Sequence, residues 1–267
     1  MTAEPPTEPP AEPPAGFPTA RTAVVTGAGS PRGIGRAVAH RLARAGWAVA
    51  VLDLDGDAAR AVAGELEQLG AAAAGVRVDV ADPASVDAAA AEVERELPPV
   101  VGLVNLAGIS SPTPFLETTP EEWDRVMAVN ARGTFLVTQR FVRGMVDRGL
   151  GRIVSASSVS AQRGGGTYSK VAYSASKAAV IGLTRALARE VSPLGVTVNA
   201  VAPGPVDTDI MGGALTDERR AAMAADGLVG RVGTVEDVAA LVEFLLGPDA
   251  GYITAATYDV NGGLQIS

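Results

Sequence analysis

Short runs of continuous apolar residues alternate with longer helical patterns along almost the whole chain of 267 residues, and this order restricts the fold more than any other feature. Each run is apolar at successive positions rather than at every second one, which is typical of strands buried on both faces. Strands that alternate with helices favour a parallel sheet covered by helices on both sides. We therefore predict a single α/β domain with a doubly wound parallel sheet of about seven strands.

The predicted elements follow one another at regular intervals. The strands are TAVVTG, AVAVLD, GVRVDV, VVGLVNLAG, GRIVSAS, GVTVNAVAPG and TYDVNGG. The helices cover 33–46, 57–69, 83–97, 119–147, 169–192 and 234–246. Gly46 is expected to follow the end of the first helix in a left-handed conformation.

The N-terminal segment differs in composition from the rest of the chain. Residues 1–20 contain Glu-Pro-Pro three times. Proline removes a backbone donor, and little of this segment can be buried. We therefore predict an extended, disordered tail over 1–20 and a folded domain over 21–267.

Composition argues against several classes of function. The chain has no cysteine, so disulfide and thiolate chemistry are excluded. Its net charge of −8 argues against nucleic acid or an anionic membrane as a partner. No apolar run approaches the roughly 18 residues of a membrane span, and the N-terminus lacks a secretory pattern, so we expect a cytoplasmic protein. The one histidine, His40, is expected on the exposed face of the first helix, which argues against a histidine metal site or a catalytic triad.

A glycine-rich stretch, TGAGSPRGIG at 26–35, lies between the first predicted strand and the first helix. Glycines at such a turn let backbone N–H groups approach a pyrophosphate at a helix N-terminus. Asp53 ends the second strand, where a carboxylate can bind both hydroxyls of an adenosine ribose and repel a 2′-phosphate. Asp53 therefore favours NAD over NADP. Arg32 could pair with a 2′-phosphate, and it leaves NADP open as the alternative.

Both lysines of the chain, Lys170 and Lys177, lie within ten residues of two of its four tyrosines. Tyr173 and Lys177 are four residues apart near the start of a helical pattern, so they share one helix face. Tyr168 and Lys170 are two apart and could not face each other on a helix. Lys170 is three residues before Tyr173 and could also face it, but the helix is expected to have barely begun there. A neighbouring ammonium would lower the pKa of the Tyr173 phenol and suit it to acid–base chemistry at neutral pH.

Further motifs occur in a fixed order around these two. They are Asp79-Val80, NLAG at 105–108, VN ending at Asn130, SASS at 155–158, YSASK at 173–177 and PGPVDT at 203–208. With these motifs the chain resembles the short-chain dehydrogenase/reductase (SDR) family from about Thr22 to Gly263. The resemblance implies a Rossmann-type fold, a nicotinamide dinucleotide cofactor and a small carbonyl or alcohol substrate. It also implies a homo-oligomer, a tetramer or a dimer, paired through the helices near 119–147 and 169–192.

The resemblance assigns roles to single residues. Tyr173 would be the general acid–base, and Lys177 would lower its pKa and hold the nicotinamide ribose. Ser158 would bind the substrate carbonyl, and Asn130 would kink its helix and anchor a water. Thr208 and the Val206 backbone would orient the carboxamide. The implied cofactor-binding set is Gly27, Arg32, Gly33, Ile34, Gly35, Asp53, Leu54, Asp79, Val80, Asn105, Ala107, Gly108, Tyr173, Lys177, Pro203, Gly204, Val206 and Thr208, with no metal ligand.

The chain departs from the family pattern at three places. Leu106 stands where the family has a second asparagine in NNAG. The cofactor loop and the interval between Ser158 and Tyr173 are each about two residues longer than usual. The second extension is expected at 162–170, at the substrate mouth, where Tyr168 either lines the pocket or faces solvent.

Three neighbouring features complete the predicted site. Ser157 is expected to point away from the substrate, because strand neighbours alternate, and Asp207 is interpreted as a loop or cap residue. The segment from Asp209 to Gly230 is predicted to be a substrate lid made of a pair of short amphipathic helices.

Three functions are compatible with this sequence. The favoured one is an NAD(H)-dependent oxidoreductase that interconverts a secondary alcohol and a ketone. The alternative is an NADPH-dependent 3-oxoacyl-thioester (acyl-carrier-protein) reductase. A non-catalytic NAD-binding protein is the third, and the complete set of asparagine, serine, tyrosine and lysine argues against it.

Overall fold

The computed structural model describes residues 16–166 and 169–266. Its strands are β1 (Thr22–Thr26), β2 (Ala48–Asp53), β3 (Ala73–Arg77), β4 (Val100–Asn105), β5 (Gly151–Ala156), β6 (Val196–Pro203) and β7 (Thr257–Val260). They form one 7-stranded sheet in the order β3-β2-β1-β4-β5-β6-β7. Every neighbouring pair is parallel, so the predicted doubly wound sheet is confirmed.

Helices cover both faces of this sheet. They are α1 (Ile34–Arg44), α2 (Gly56–Gln68), α3 (Pro83–Glu96), α4 (Pro120–Met127), α5 (Gly133–Arg148), α6 (Val159–Arg163), α7 (Val171–Val191), α8 (Asp217–Asp226) and α9 (Val235–Leu246). The core on one face contains buried side chains of α1, α2 and α9, such as Leu42, Leu66 and Leu245. The core on the other face contains those of α3, α5 and α7, such as Val93 and Phe141. The two cores make this a single Rossmann-type domain.

The order of the strands places a crevice at one edge of the sheet. From β1 the chain builds β2 and β3 to one side, and it then returns to build β4 to β7 on the other side. The connections that leave the carboxyl ends of β1 and β4 therefore diverge, and ligands of open α/β sheets bind at such a point. The glycine-rich loop follows β1 and NLAG follows β4, so both motifs lie at this crevice.

Several predicted boundaries need correction. The predicted strand GVRVDV covers 75–80, whereas β3 covers Ala73–Arg77. The strand ends early because its register pairs Arg77 with Asp53, the last residue of β2. The helical region at 119–147 is two helices separated by a π-helical turn at Ala128–Arg132. The short helix α6 was not predicted. Gly46 has φ of +78°, as expected for the residue after α1.

The lid segment was predicted as two helices and contains one. A 3₁₀ turn covers Asp209–Met211, and α8 follows at Asp217–Asp226. Between them Gly212 and Gly213 have φ of +82° and +111°, a backbone conformation that cannot continue a right-handed helix.

The folded domain extends into the segment predicted as a tail. Phe17 is only 8% exposed and packs edge-to-face against Trp47, with ring centroids 6.0 Å apart. The Arg21 guanidinium lies 4.5 Å from the Trp47 ring centroid and 5.4 Å from that of Phe17. An aromatic pair with a cation over both rings anchors this segment to the domain. The remaining part of the predicted tail, residues 1–15, lies outside the described residues.

The prediction for His40 is also wrong. Its side chain is 20% exposed, and Nε2 lies 2.9 Å from Glu65 Oε2. Arg36 binds the same oxygen at 2.6 Å. Glu65 belongs to α2, so an ion-pair cluster between two helices holds the histidine that was expected to face solvent.

Across residues 16–166 and 169–266, every helix is too short or too polar to cross a lipid bilayer.

Candidate functional site

A cleft of about 660 Å³ lies at the carboxyl edge of the sheet. It runs from the glycine-rich loop past the ends of β1, β2 and β4 to the start of α7 and the lid. Most of the predicted site residues line it: Gly27, Gly33, Ile34, Gly35, Asp53, Leu54, Asp79, Val80, Ala107, Gly108, Ser158, Tyr173, Lys177, Pro203, Gly204, Val206 and Thr208. Three predicted residues do not line it, namely Arg32, Asn105 and Asn130.

The glycine-rich loop is shaped for a close approach of backbone to ligand. Gly27 has φ of +67°, a conformation that favours glycine. A Cβ added at Gly35 would lie 2.4 Å from the Gly27 carbonyl oxygen, so only glycine fits there. The first turn of α1 has neither a capping side chain nor an acidic residue. Its free N–H groups and the positive end of the helix dipole therefore suit a pyrophosphate.

Asp53 lies at the end of β2 with its carboxylate beside this loop. Its Oδ2 accepts the Gly29 N–H at 2.8 Å, and its Oδ1 accepts the Asp55 N–H at 3.1 Å. These two bonds fix a negative charge on the cleft wall. A carboxylate there can accept bonds from two neighbouring hydroxyls and opposes a phosphate.

The ends of β1 and β4 are joined by a side chain. Thr26 Oγ1 accepts the N–H groups of Leu106 and Ala107, each at 3.1 Å. This contact uses the backbone of residue 106, so the leucine that replaces the family asparagine does not disturb it. Asn105 points away from the cleft, and its Nδ2 donates to Thr138 Oγ1 and Ser155 Oγ in the interior. The prediction that Asn105 contacts the cofactor is therefore wrong for its side chain.

Tyr173 and Lys177 lie on one face of α7, as their spacing predicts. The Lys177 Nζ is 5.8 Å from the centroid of the Tyr173 ring and donates to the Ala156 carbonyl oxygen at 2.8 Å. The Tyr173 phenol lies close enough to Ser158 for the serine hydroxyl to act on the phenol's pKa. Ser158 Oγ also accepts the Ser160 N–H at 3.1 Å, which fixes the serine at the start of α6. The cleft therefore holds a phenol, a hydroxyl and an ammonium side by side.

The protonation of this group differs from the prediction. Burial raises the pKa of Tyr173, and the hydrogen bond to Ser158 lowers it by less. Burial also lowers the pKa of Lys177 from 10.5 to about 8. Loss of water disfavours the charged form of each group. The expected lysine-lowered tyrosine pKa is absent here, and Tyr173 is a phenol at neutral pH.

Asn130 lies beneath the cleft rather than in its wall. It is fully buried in the π-helical turn, which confirms the predicted interruption of its helix. Its side chain accepts the Ile109 N–H at 2.9 Å and donates to the Ile109 carbonyl and to Ser176 Oγ, each at 3.0 Å. Asn130 thus joins the segment after β4 to α7, the helix that carries Tyr173 and Lys177.

Arg32 does not line the cleft. Its guanidinium pairs with Asp207 and lies 3.4 Å from Asp209 Oδ1. Asp207 also accepts from Arg220 at 2.5 Å, so it is more than the loop or cap residue that was predicted. Ser157 was expected to point away from the substrate; it lies at the cleft wall, and its hydroxyl donates to the Lys177 carbonyl at 2.9 Å.

Sequence reasoning missed several residues of the substrate end. They include Ile109, Ser110, Val159, Ser160 and Leu264. None belongs to a quoted motif, and they approach one another only because β4, β5 and β7 end at the same edge. Ile210, Met223 and Asp226 of the segment predicted to be the lid also line the cleft. Gly165, Gly166 and Ser169 of the longer loop line it too, whereas Tyr168 lies outside the described residues.

Comparison with known proteins agrees with this geometry. A family model described as enoyl-(acyl carrier protein) reductase matches residues 27–265. The short-chain type dehydrogenase/reductase y4mP of Sinorhizobium fredii is 44% identical over 247 residues, 92% of this chain and 98% of that protein. The 3-oxoacyl-[acyl-carrier-protein] reductase FabG of Aquifex aeolicus is 41% identical over 237 residues, 88% of this chain and 94% of that protein. A crystal structure of 3-oxoacyl-[acyl-carrier protein] reductase from Brucella melitensis has a TM-score of 0.86 and 33% identity, and 92% of each chain is covered.

The fold and the cleft define an oxidoreductase that acts on CH–OH groups and binds a nicotinamide cofactor. The chain belongs to the short-chain dehydrogenase/reductase family. The residues present fit the cofactor, because Gly27 and Gly35 allow the loop backbone to pack closely at the start of α1, and the N-terminus of that helix has no capping side chain.

Proposed function

We propose that this protein is an NAD(H)-dependent oxidoreductase that interconverts a ketone and a secondary alcohol. The observation that carries the proposal is the group of Tyr173, Ser158 and Lys177 in one cleft with the glycine-rich loop and Asp53. When bound, the nicotinamide supplies or accepts the hydride. The protein must then bind the substrate oxygen and move one proton.

Tyr173 is the general acid–base in this proposal. Because burial raises its pKa, the phenol is protonated at neutral pH and can donate to a ketone oxygen during reduction. Ser158 Oγ accepts the Ser160 N–H, and this bond holds the hydroxyl in a position from which it can donate to the same substrate oxygen. A hydroxyl held there stabilises the negative charge that develops on that oxygen.

Lys177 and Asn130 support this group from below. The ammonium is held against the Ala156 carbonyl and is suited to bind the hydroxyls of the nicotinamide ribose. Asn130 keeps Ile109 and Ser176 in place and so fixes the two elements on either side of the ammonium. We propose that Thr208 and the Val206 backbone orient the carboxamide, since both line the cleft.

Two contacts favour NAD over NADP. The Asp53 carboxylate is fixed on the cleft wall by the Gly29 and Asp55 N–H groups, where it opposes a 2′-phosphate. Arg32, the residue that could neutralise such a phosphate, is already paired with Asp207.

A second candidate is reduction of a 3-oxoacyl thioester with NADPH. It is favoured by relatives named 3-oxoacyl-[acyl-carrier-protein] reductase at 41% and 33% identity. The apolar side chains of Val159, Met223 and Leu264 at the substrate end suit an acyl chain as well as a free ketone.

The test is consumption of NADH and NADPH with a panel of carbonyl compounds that includes acetoacetyl thioester, cyclic and aliphatic ketones, diketones, sugars and steroid ketones. We expect turnover with NADH on at least one ketone. Turnover of the thioester with NADPH alone would replace this proposal by the second candidate. Cofactor binding without turnover of any carbonyl would favour a non-catalytic role and contradict both.

Substitution of Asp53 tests the cofactor assignment separately. Asp53→Asn keeps an acceptor for the Gly29 N–H but removes the charge. Hydrogen bonds to a charged group contribute about 1.5–3 kcal/mol, so the ratio of NADH to NADPH affinity should fall about 10- to 100-fold. Titration of cofactor fluorescence measures both dissociation constants. Asp57→Asn is the control, because that carboxylate is 93% exposed and pairs only with Arg60 among the described contacts. An unchanged ratio would contradict the role of Asp53.

We also propose that the protein acts in the cytoplasm as a homo-oligomer, a dimer or a tetramer. Trp123 on α4 and Phe135 on α5 are 36% and 42% exposed, and they lie in the helical region predicted to pair subunits.

A further inference from the structure

The glycine-rich loop and the base of the lid are joined by charged side chains. Ser30 Oγ donates to Asp209 Oδ2 at 2.8 Å, and Arg32 of the same loop pairs with Asp207. These contacts connect positions about 175 residues apart in the sequence. They connect the two segments at the mouth of the cleft, because Ser30 and Asp209 both line it.

Asp207 has the largest number of these contacts. One carboxylate oxygen faces Arg32 and accepts the Leu215 N–H at 3.2 Å, and the other accepts from Arg220 on α8 at 2.5 Å. Its side chain is 19% exposed. One carboxylate thus joins the cofactor loop, the backbone of the lid and the lid helix. Burial raises the pKa of Asp207, but the bonds from Arg220 and Leu215 and the charges of Arg32 and Arg220 outweigh it and keep the group ionised.

The arrangement is unlike an ordinary exposed ion pair. An isolated surface pair contributes little to stability because its ends remain solvated. Here both arginines meet one partly buried carboxylate: the Arg32 pair joins the glycine-rich loop to the lid base, and the Arg220 pair joins the lid base to α8. Thr208, which lines the cofactor part of the cleft, lies next to Asp207 in the chain. Movement of Asp207 would therefore move the cleft wall itself.

We propose that Asp207 is a positioning residue that, with Arg32 and Arg220, closes the lid base onto the glycine-rich loop and slows release of the bound dinucleotide. We call these three residues the clasp. The clasp contacts neither the reacting atoms nor the cofactor phosphates. It acts by holding Thr208 and the lid in the closed arrangement. The inference rests on the proposed function only in requiring that a nicotinamide dinucleotide binds in the cleft.

The experiment measures the dissociation rate of NADH from the full-length protein by stopped-flow fluorescence, with displacement by excess NAD. Asp207→Asn should release NADH about 5- to 20-fold faster than wild type, because loss of a paired charge acts mainly on dissociation. Arg220→Gln should give a smaller increase in the same direction. Asp207→Glu should recover most of the slow release. Added salt should accelerate wild type more than Asp207→Asn.

The control is Glu96→Gln, the same change of acid to amide in an exposed ion pair with Arg95, at the end of α3 far from the cleft. Its release rate should equal that of wild type. If Asp207→Asn fails to fold, Arg220→Gln decides, since Arg220 is 46% exposed. Release rates in these variants within twofold of wild type would overturn the clasp alone. Failure of wild type to bind either NADH or NADPH would overturn the proposed function, and the clasp with it.

Discussion

Replacement of Tyr173 by phenylalanine should lower kcat for carbonyl reduction by about 10²- to 10⁴-fold, the usual contribution of a positioned general acid. The change removes one hydroxyl, which lies beside Ser158, and keeps the ring in α7. The dinucleotide part of the cleft is untouched, so NADH affinity should change less than threefold. Steady-state NADH consumption and a fluorescence titration measure the two quantities on the same preparation.

Two further variants make this result specific. Tyr252→Phe removes the hydroxyl of a tyrosine that is fully exposed, and it should leave kcat unchanged. Tyr168→Phe tests the other tyrosine near a lysine. If Tyr168→Phe abolished turnover while Tyr173→Phe kept it, the assignment of the general acid would be wrong.

Replacement of Lys177 by methionine should abolish most activity and, at neutral pH, stabilise the cofactor-free protein. Burial lowers the pKa of this lysine from 10.5 to about 8. Below about pH 8 the folded protein therefore carries a buried ammonium, at a cost of about 3 kcal/mol relative to high pH. Methionine removes that cost, but it also leaves the Ala156 carbonyl without its donor. The lost hydrogen bond destabilises the folded protein by about 1–2 kcal/mol and offsets part of the gain.

The effect of Lys177→Met on the melting temperature should depend on pH. Between about pH 8 and 10.5 the unfolded chain binds more protons at this position than the folded protein, so wild-type stability rises with pH. Lys177→Met should thus melt a few degrees higher than wild type at pH 7 and no higher at pH 10.5. Calorimetry across this range measures it, and NADH consumption at pH 7 should fall about 10²- to 10³-fold.

Lys170→Met is the matched control for this experiment, because it removes the only other lysine, whose side chain is partly exposed. Lys170→Met should leave the pH dependence of the melting temperature unchanged, and it should change the activity by only a small factor. A Lys177→Met protein that melts below wild type at pH 7 and keeps the same pH slope would contradict a buried ammonium.

The sequence predicted the sheet and the main groups of the cleft because both depend on short-range features. Continuous apolar runs between helical patterns require a covered parallel sheet, and parallel strands bring their carboxyl ends to one edge. The spacing of Tyr173 and Lys177 is one helical turn, so their shared face follows from helix geometry. Gly27 and Gly35 could be placed because a tight turn before a helix has few backbone solutions.

The predictions that failed concern properties that are set by the surroundings of a residue in the folded protein. Asn105, predicted to contact cofactor, turns inward to Thr138 and Ser155 because the end of β4 packs against α5 and β5. The expected lowering of the Tyr173 pKa is reversed by burial, which depends on the surroundings of the phenol rather than on its neighbour in sequence.

By itself, then, the sequence determined the fold class, the edge of the sheet that carries the site and the pair of Tyr173 and Lys177. Each of these follows from periodicity or from spacing within one element, whereas Ser158 was assigned by the family resemblance. Only the tertiary structure decided that Phe17 belongs to the domain, that Glu65 holds His40, and that Arg32 faces Asp207 instead of the cofactor. Those contacts join residues from distant parts of the chain, and their partners are chosen by how helices, loops and lid pack, which no local pattern encodes.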